Sequence, residues 1–277
     1  MRFDGLFGKP PFLYFIFPLT NECNLHCEWC STLNNIPITP DSPHPYRRVK
    51  WESPVEDVEL FCERFRGYGE ENIHRLTGGE VTMLPVDRLT AIIHVFAEYG
   101  RKMMMITNGY NLLGIDVEHL NKIQGVVLDD HGINHDHIEK CRRYLKKVYG
   151  GTVKTLYHPV HWNLEDAMKH PSNRGRQCRS MIRTPMVVKK VVYPCCNMYP
   201  IEQMRRDPQI TSSLVEAGWT LDNPQVVETL RRWRKTLPQY VREQCLNHSW
   251  RPNMKVGRSV EITLKPHDRI SAGEGDG

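Results

Sequence analysis

Short apolar runs alternate along this chain with amphipathic stretches of about a dozen residues. Residues 13–18 form an unbroken apolar segment of the kind found in buried strands, and 73–76, 102–107, 125–128 and 152–157 repeat that signature. A sixth strand is expected around 159–162. Between them lie helical patterns at 55–65, 86–99, 117–123 and 136–148. In the second, Leu89, Ile92, Ile93 and Phe96 recur at helical spacing. Asp136 is placed to cap the fourth helix. Strands alternating with helices in this way predict βαβ units and a parallel sheet, an α/β fold.

Two stretches break the rhythm. Residues 31–54 are polar and proline-rich, with Pro37, Pro40, Pro43 and Pro45. They follow the loop that leaves the first strand, and we expect a lid or a substrate-shaping loop there. Beyond residue 170 the βα alternation stops. Residues 186–188 and 191–193 read as a hairpin with Lys189-Lys190 at its turn. A helix is expected over 224–237, with Val226, Val227, Leu230 and Trp233 on one face. The tail from 267 is rich in Gly and Asp and reads as disordered. The expected division is a main domain over 1–170, a small extension over 171–266 and a tail over 267–277.

Composition narrows the class. With 277 residues, 40% of them hydrophobic and 25% charged, the chain has material for a full globular core. No apolar run is long enough for a bilayer span and no signal-peptide pattern opens the chain, so a cytoplasmic protein without membrane contact is expected. Nine cysteines in such a chain point to metal ligation in a reducing compartment. The net charge of +5 is uneven. Residues 1–170 carry 19 Lys and Arg against 22 Asp and Glu, while 171–277 carry 18 against 10. The basic excess, densest at Arg231, Arg232, Arg234 and Lys235, suits either a solvated helix face or a surface meeting an anionic substrate or partner.

The chemistry concentrates in one short loop. Cys23, Cys27 and Cys30 stand at C-x3-C-x2-C spacing just after the first strand. Three thiolates on one loop can hold three irons of a 4Fe–4S cluster and leave the fourth open, whereas electron-transfer clusters use four cysteines. The loop resembles that of the radical S-adenosylmethionine (SAM) enzymes, in which SAM occupies the open iron and an aromatic residue, here Trp29, precedes the third cysteine. Two further segments match that family in order. Leu76-Thr77-Gly78-Gly79-Glu80 resembles its glycine-glycine-glutamate motif, and Thr107-Asn108-Gly109 resembles the end of its third strand. The resemblance implies a partial (β/α)6 TIM-type barrel, with every motif at the C-terminal mouth.

It also implies roles. Cys23, Cys27 and Cys30 would hold the cluster, and Gly78, Gly79 and Glu80 would meet SAM's ammonium. Trp29 would pack near the adenine or the cluster, and Asn108 would lie in the cofactor site. The fourth strand departs from the family pattern because Val127 replaces a serine that contacts ribose, so Asp129 or Asp130 would have to substitute. The polar run His131, Asn134, His135, Asp136 and His137 reads as a substrate-facing loop, a second metal site or a solvated helix start. The resemblance further implies reductive SAM cleavage to a 5′-deoxyadenosyl radical, an electron donor such as flavodoxin or ferredoxin, and a substrate attacked by hydrogen abstraction or radical addition. A nucleotide, a nucleic acid or a phosphorylated metabolite would fit the basic excess, and a peptide is the alternative. An iron–sulfur redox or regulatory protein, or a zinc-stabilised nucleic-acid binder, would leave the glycine-glycine-glutamate and Thr-Asn-Gly segments unexplained.

Near the C-terminus, Cys178, the hairpin and Cys195-Cys196 resemble the SPASM/twitch extension that carries an auxiliary cluster, with Cys245 as a further ligand candidate. A second 4Fe–4S cluster, a zinc site and plain structural cysteines all remain open. Cys62 and Cys141 fall within expected helices and read as small buried hydrophobes.

Overall fold

A computed structural model describes residues 14–25, 50–157, 184–196, 198–205 and 208–246. Its frame is a seven-stranded sheet in the order β5-β4-β3-β2-β1-β6-β7. These strands are β1 (Ile16–Pro18), β2 (Ile73–Thr77), β3 (Lys102–Thr107), β4 (Gly125–Asp130), β5 (Thr152–Tyr157), β6 (Met186–Val188) and β7 (Val191–Tyr193). Strands β1 to β5 run parallel, each paired with the next, and form a partial TIM-type barrel. The predicted bounds of β3 and β5 coincide with the observed ones. The sixth strand expected around 159–162 lies outside the described residues.

Alternation along the strands gives the sheet two different faces. His74, Leu76, Met103, Met105, Val126 and Leu128 are buried against the helices α1 (Val55–Arg64), α2 (Val86–Glu98), α3 (Val117–Leu120) and α4 (His135–Val148). An aromatic cluster seals the join of β1 to α1, where the Phe17 and Phe61 rings meet edge-on at 4.5 Å and Phe15 meets Phe65 at 4.8 Å. Cys62 and Cys141 are fully buried here, as their positions within helices suggested. Burial pushes the Cys62 thiol up to about 12 and that of Cys141 to about 11, so both stay protonated and inert.

The hairpin joins the same sheet rather than standing apart. β6 pairs parallel to β1, and β7 returns antiparallel through a two-residue turn. Lys189 and Lys190 both adopt positive φ there, 47° and 67°. Behind it pack α5 (Met198–Arg205), α6 (Gln209–Glu216), α7 (Val226–Arg231), α8 (Trp233–Thr236) and α9 (Gln239–Leu246). The single helix expected over 224–237 is therefore two short ones, broken at Arg232 (φ −95°, ψ 23°). The Thr236 hydroxyl reaches back to the Thr229 carbonyl at 2.7 Å and tightens that break. Among the described residues no helix is long and apolar enough to cross a membrane.

Candidate functional site

The C-terminal ends of β1, β2, β3 and β4 converge on one mouth, and hydrogen bonds lock them together. The segment leaving β1, Leu19 to Glu22, lies flat on the turn after β2. Gly79 N–H donates to the Thr20 carbonyl at 2.7 Å, and Glu80 N–H to that of Glu22 at 2.6 Å. This approach explains both glycines. A β-carbon on Gly78 would stand 2.4 Å from the Thr20 oxygen, and one on Gly79 would stand 2.0 Å from the Glu22 oxygen. Gly78 also has a φ of 152°.

Glu80 sits 1% exposed at the centre of the mouth. One carboxylate oxygen accepts from Thr82 N–H (2.9 Å), the Thr82 hydroxyl (2.7 Å) and the Thr107 hydroxyl (2.5 Å). The other accepts from Asn108 N–H at 2.6 Å. Burial pushes its carboxyl above the ordinary range, and these four donors work against that shift. Sequence reading gave Glu80 a ligand ammonium to hold, while the described residues surround it with protein donors. In this geometry it fastens the end of β2 to the end of β3.

Asn108 carries the connection onward. Its side-chain amide donates to Asn24 Oδ1 at 2.8 Å and lies 3.6 Å from Cys23 Sγ. The Leu25 N–H also points at that sulfur, at 3.4 Å. Cys23 is 7% exposed and takes both contacts beside the glycine turn. Amide donors aimed at a cysteine sulfur suit a metal-bound thiolate, whose negative charge they stabilise. The donor set around Cys23 thus fits a cluster ligand. Cys27, Cys30 and Trp29 lie outside the described residues, and among those described no three potential ligands are grouped for a metal.

The end of β4 is bound to the same mouth by a residue to which the sequence gave a different part. Asn134 donates from its side-chain amide to the Asn108 and Asp129 carbonyls, both at 3.0 Å, and accepts from His131 N–H at 2.8 Å. Asn134, not Asp136, is the residue at the N-cap of α4; its side chain is drawn to the strand ends and makes no capping bond. Asp136 lies within the first turn, where a carboxylate complements the helix dipole. Asp129 stands half-exposed with His131 Nε2 3.6 Å away, whereas Asp130 is buried and holds His135 Nδ1 at 2.7 Å. The hydrogen bond and charge of Asp130 raise the imidazole pKa of His135. His137 bonds the Gly109 carbonyl at 2.6 Å. The strand-end role of Thr82, Thr107, Asn24 and Asn134 was missed in the sequence. Its only trace was their position next to Glu80, the Asn-Gly pair, Cys23 and the fourth helix.

The residues returning from the proline-rich stretch clamp the same end of β1. Trp51 N–H donates to Asn21 Oδ1 at 2.9 Å, and Ser53 N–H to the Leu19 carbonyl at 2.7 Å. The stretch therefore leaves and re-enters the fold beside the mouth, while residues 26–49 themselves lie outside the described ones.

Cys195 is buried and Cys196 half-buried at the end of β7, with the Thr184 hydroxyl 3.9 Å from Cys196 Sγ. Cys178 lies outside the described residues. Cys245 belongs to α9 by its backbone, and its side chain is not among those described.

No protein-family profile and no curated protein matches this sequence. Solved structures do. A crystal structure of BtrN in complex with S-adenosylmethionine and 2-DOIA has 16% identity and a TM-score of 0.54, over 85% of this chain and 92% of that one. SuiB of Streptococcus suis bound to precursor peptide SuiA has 19% identity and a TM-score of 0.39, over 52% and 32%. A structure of anSMEcpe with S-adenosylmethionine and a Cp18Cys peptide has 17% identity and a TM-score of 0.37, over 53% and 42%. The chain thus shares its fold with BtrN over 85% of its length.

Proposed function

We propose that this protein is a radical SAM enzyme. The observation carrying the reading is the setting of Cys23, whose sulfur faces the Asn108 amide and the Leu25 N–H beside the Gly78–Gly79 turn. The BtrN structure, whose fold this chain shares, holds S-adenosylmethionine, which supports the reading. Cys23, Cys27 and Cys30 would hold a 4Fe–4S cluster. When bound, the cluster and SAM supply one-electron cleavage of the sulfonium to a 5′-deoxyadenosyl radical, the hard chemistry of the cofactor. The protein's residues do the placing. Gly78 and Gly79 bring backbone close to the cluster loop, Glu80 anchors that turn to Asn108, and Asn108 braces Cys23. Asp129, half-exposed at the end of β4, is the acceptor for ribose hydroxyls, and Trp29 packs near the adenine.

The extension would add a second 4Fe–4S cluster on Cys178, Cys195, Cys196 and Cys245, in the manner of a twitch domain. A flavodoxin or ferredoxin would deliver the electron, and the substrate would carry negative charge. Anaerobic reconstitution with iron and sulfide analysis tests this, using the parent and a variant with Cys23, Cys27 and Cys30 all changed to Ala. About eight irons in the parent and about four in the variant are expected for two clusters. About four and none would leave the SAM cluster alone. A parent that gains iron yet neither binds nor cleaves SAM would sink the enzyme reading in favour of a redox protein.

A further inference from the structure

We propose that the inner face of the barrel carries an anion site centred on Arg75, which receives a carboxylate or phosphate group of the substrate. This rests on the radical SAM reading and moves the anionic contact from the C-terminal basic stretch to the barrel's interior.

Strand register places the site. Ile16, Arg75, Met104, Gly125 and Thr152 form one row across β1 to β5. The alternate residues His74, Met103, Met105 and Val126 are buried on the helix-packed face, and the His74 ring meets that of Phe61 in α1 at 6.0 Å. Arg75 therefore points the other way, into the lumen. It lies four residues below Gly79, ~13 Å down the strand from the mouth. That is too deep for a cofactor anchored at the Gly78–Gly79 turn and suits the far end of a substrate.

Arg75 is half-buried, and its guanidinium lies over the Tyr14 ring, 4.3 Å from the centroid. Among the described residues it makes no hydrogen bond and no ion pair. A partly desolvated cation without an anion is costly, and a planar fork of donors fits a carboxylate or phosphate in bidentate fashion. Lys102, two residues before Met104 on β3, and Lys154, three strands from Arg75 on β5, project from the same face, and both are exposed. The one carboxylate sharing that face in β1 to β5 is Asp129, at the upper rim opposite Leu156. The C-terminal stretch is different: Arg231 and Arg232 both reach Glu228, at 3.8 and 2.6 Å.

The test uses the full-length reconstituted protein with SAM present. Benzoate and phenyl phosphate serve as probes and benzyl alcohol as the neutral control, each titrated by saturation-transfer NMR. At least one anion should bind saturably and the alcohol should not. Arg75→Met should weaken that anion about tenfold or more, Lys154→Met less, and a surface control with Arg234→Met and Lys235→Met not at all. The better probe identifies carboxylate or phosphate as the group recognised. Arg75→Met should also melt within about 2 °C of the parent, because losing the contact with Tyr14 and losing an unpaired charge oppose each other. A fall of several degrees would instead mark a structural arginine and overturn the proposal. So would equal anion binding by parent and Arg75→Met, no anion binding by the parent, or binding lost only in the surface control. SAM cleavage by the parent, measured in the same preparations, keeps failure of this site distinct from failure of the enzyme reading.

Discussion

The carbonyl of Glu22 lies so close to Gly79 that a β-carbon there would stand 2.0 Å from its oxygen. The segment carrying Cys23 is thus seated on bare backbone, and the two strand ends share one contact plane. Gly79→Ala must push this segment away from the turn. We expect a loss of about 2 kcal/mol from overpacking, together with reduced iron uptake on anaerobic reconstitution. Gly150, where an added β-carbon would meet nothing nearer than the Asn121 side-chain oxygen at 3.7 Å, is the control for general glycine effects. A Gly79→Ala protein with parental stability and iron content would refute the seating argument.

Glu80 joins Thr82, Thr107 and Asn108 through one carboxylate. In Glu80→Gln an amide group replaces one acceptor and turns its own hydrogens toward N–H or O–H donors. The loss should be about 1.5–3 kcal/mol, the range for a hydrogen bond to a charged group. Chemical denaturation of the cluster-free protein measures it apart from any cofactor. Thr107→Val removes one donor and should cost less.

His74 supplies the pH dependence. It is fully buried, accepts the Phe15 N–H on Nδ1 at 3.1 Å, and has its pKa lowered by burial and then by Arg101 from 6.5 to about 3. Between those values the unfolded chain binds a proton that the folded chain refuses. Stability is therefore full above about pH 6.5 and falls with acidification towards pH 3, by up to ~1.4 kcal/mol per pH unit. His74→Asn keeps an acceptor but does not titrate, so its urea midpoint should change less between pH 7 and pH 5. Parallel curves for the two proteins would rule His74 out as the source.

The turn between β6 and β7 holds two lysines in the left-handed region. Asn-Gly suits such a two-residue hairpin, and each L-residue there costs roughly 1–2 kcal/mol. The double change Lys189→Asn and Lys190→Gly gives up the exposed Lys190–Asp222 pair (3.1 Å), worth at most about 1 kcal/mol. A net gain of about 1 kcal/mol is expected in the urea midpoint.

Much of this protein was legible from its residues in order. The alternation of apolar runs with amphipathic stretches gave an α/β fold with a parallel sheet, because strand and helix periods are local consequences of which positions can be buried, while the partial barrel was implied by the family resemblance. The bounds of β3, β5, β6 and β7 follow from such runs and from the lysine turn. Cysteine spacing likewise marked Cys23 as a ligand candidate, because three thiols on one short loop are a local arrangement. Tertiary structure alone decided what meets what. It gave Glu80 to Thr107 and Asn108, spent Asn134 on two strand ends, and set Gly79 under the Glu22 carbonyl. It also attached the hairpin to β1 and turned Arg75 into the lumen with Tyr14 as its sole described partner. These pairings join residues far apart in the chain, from Glu80 and Asn108 to Ile16 and Met186. No local periodicity encodes which distant donor will find which acceptor; that is settled when the strands take their register and close the barrel.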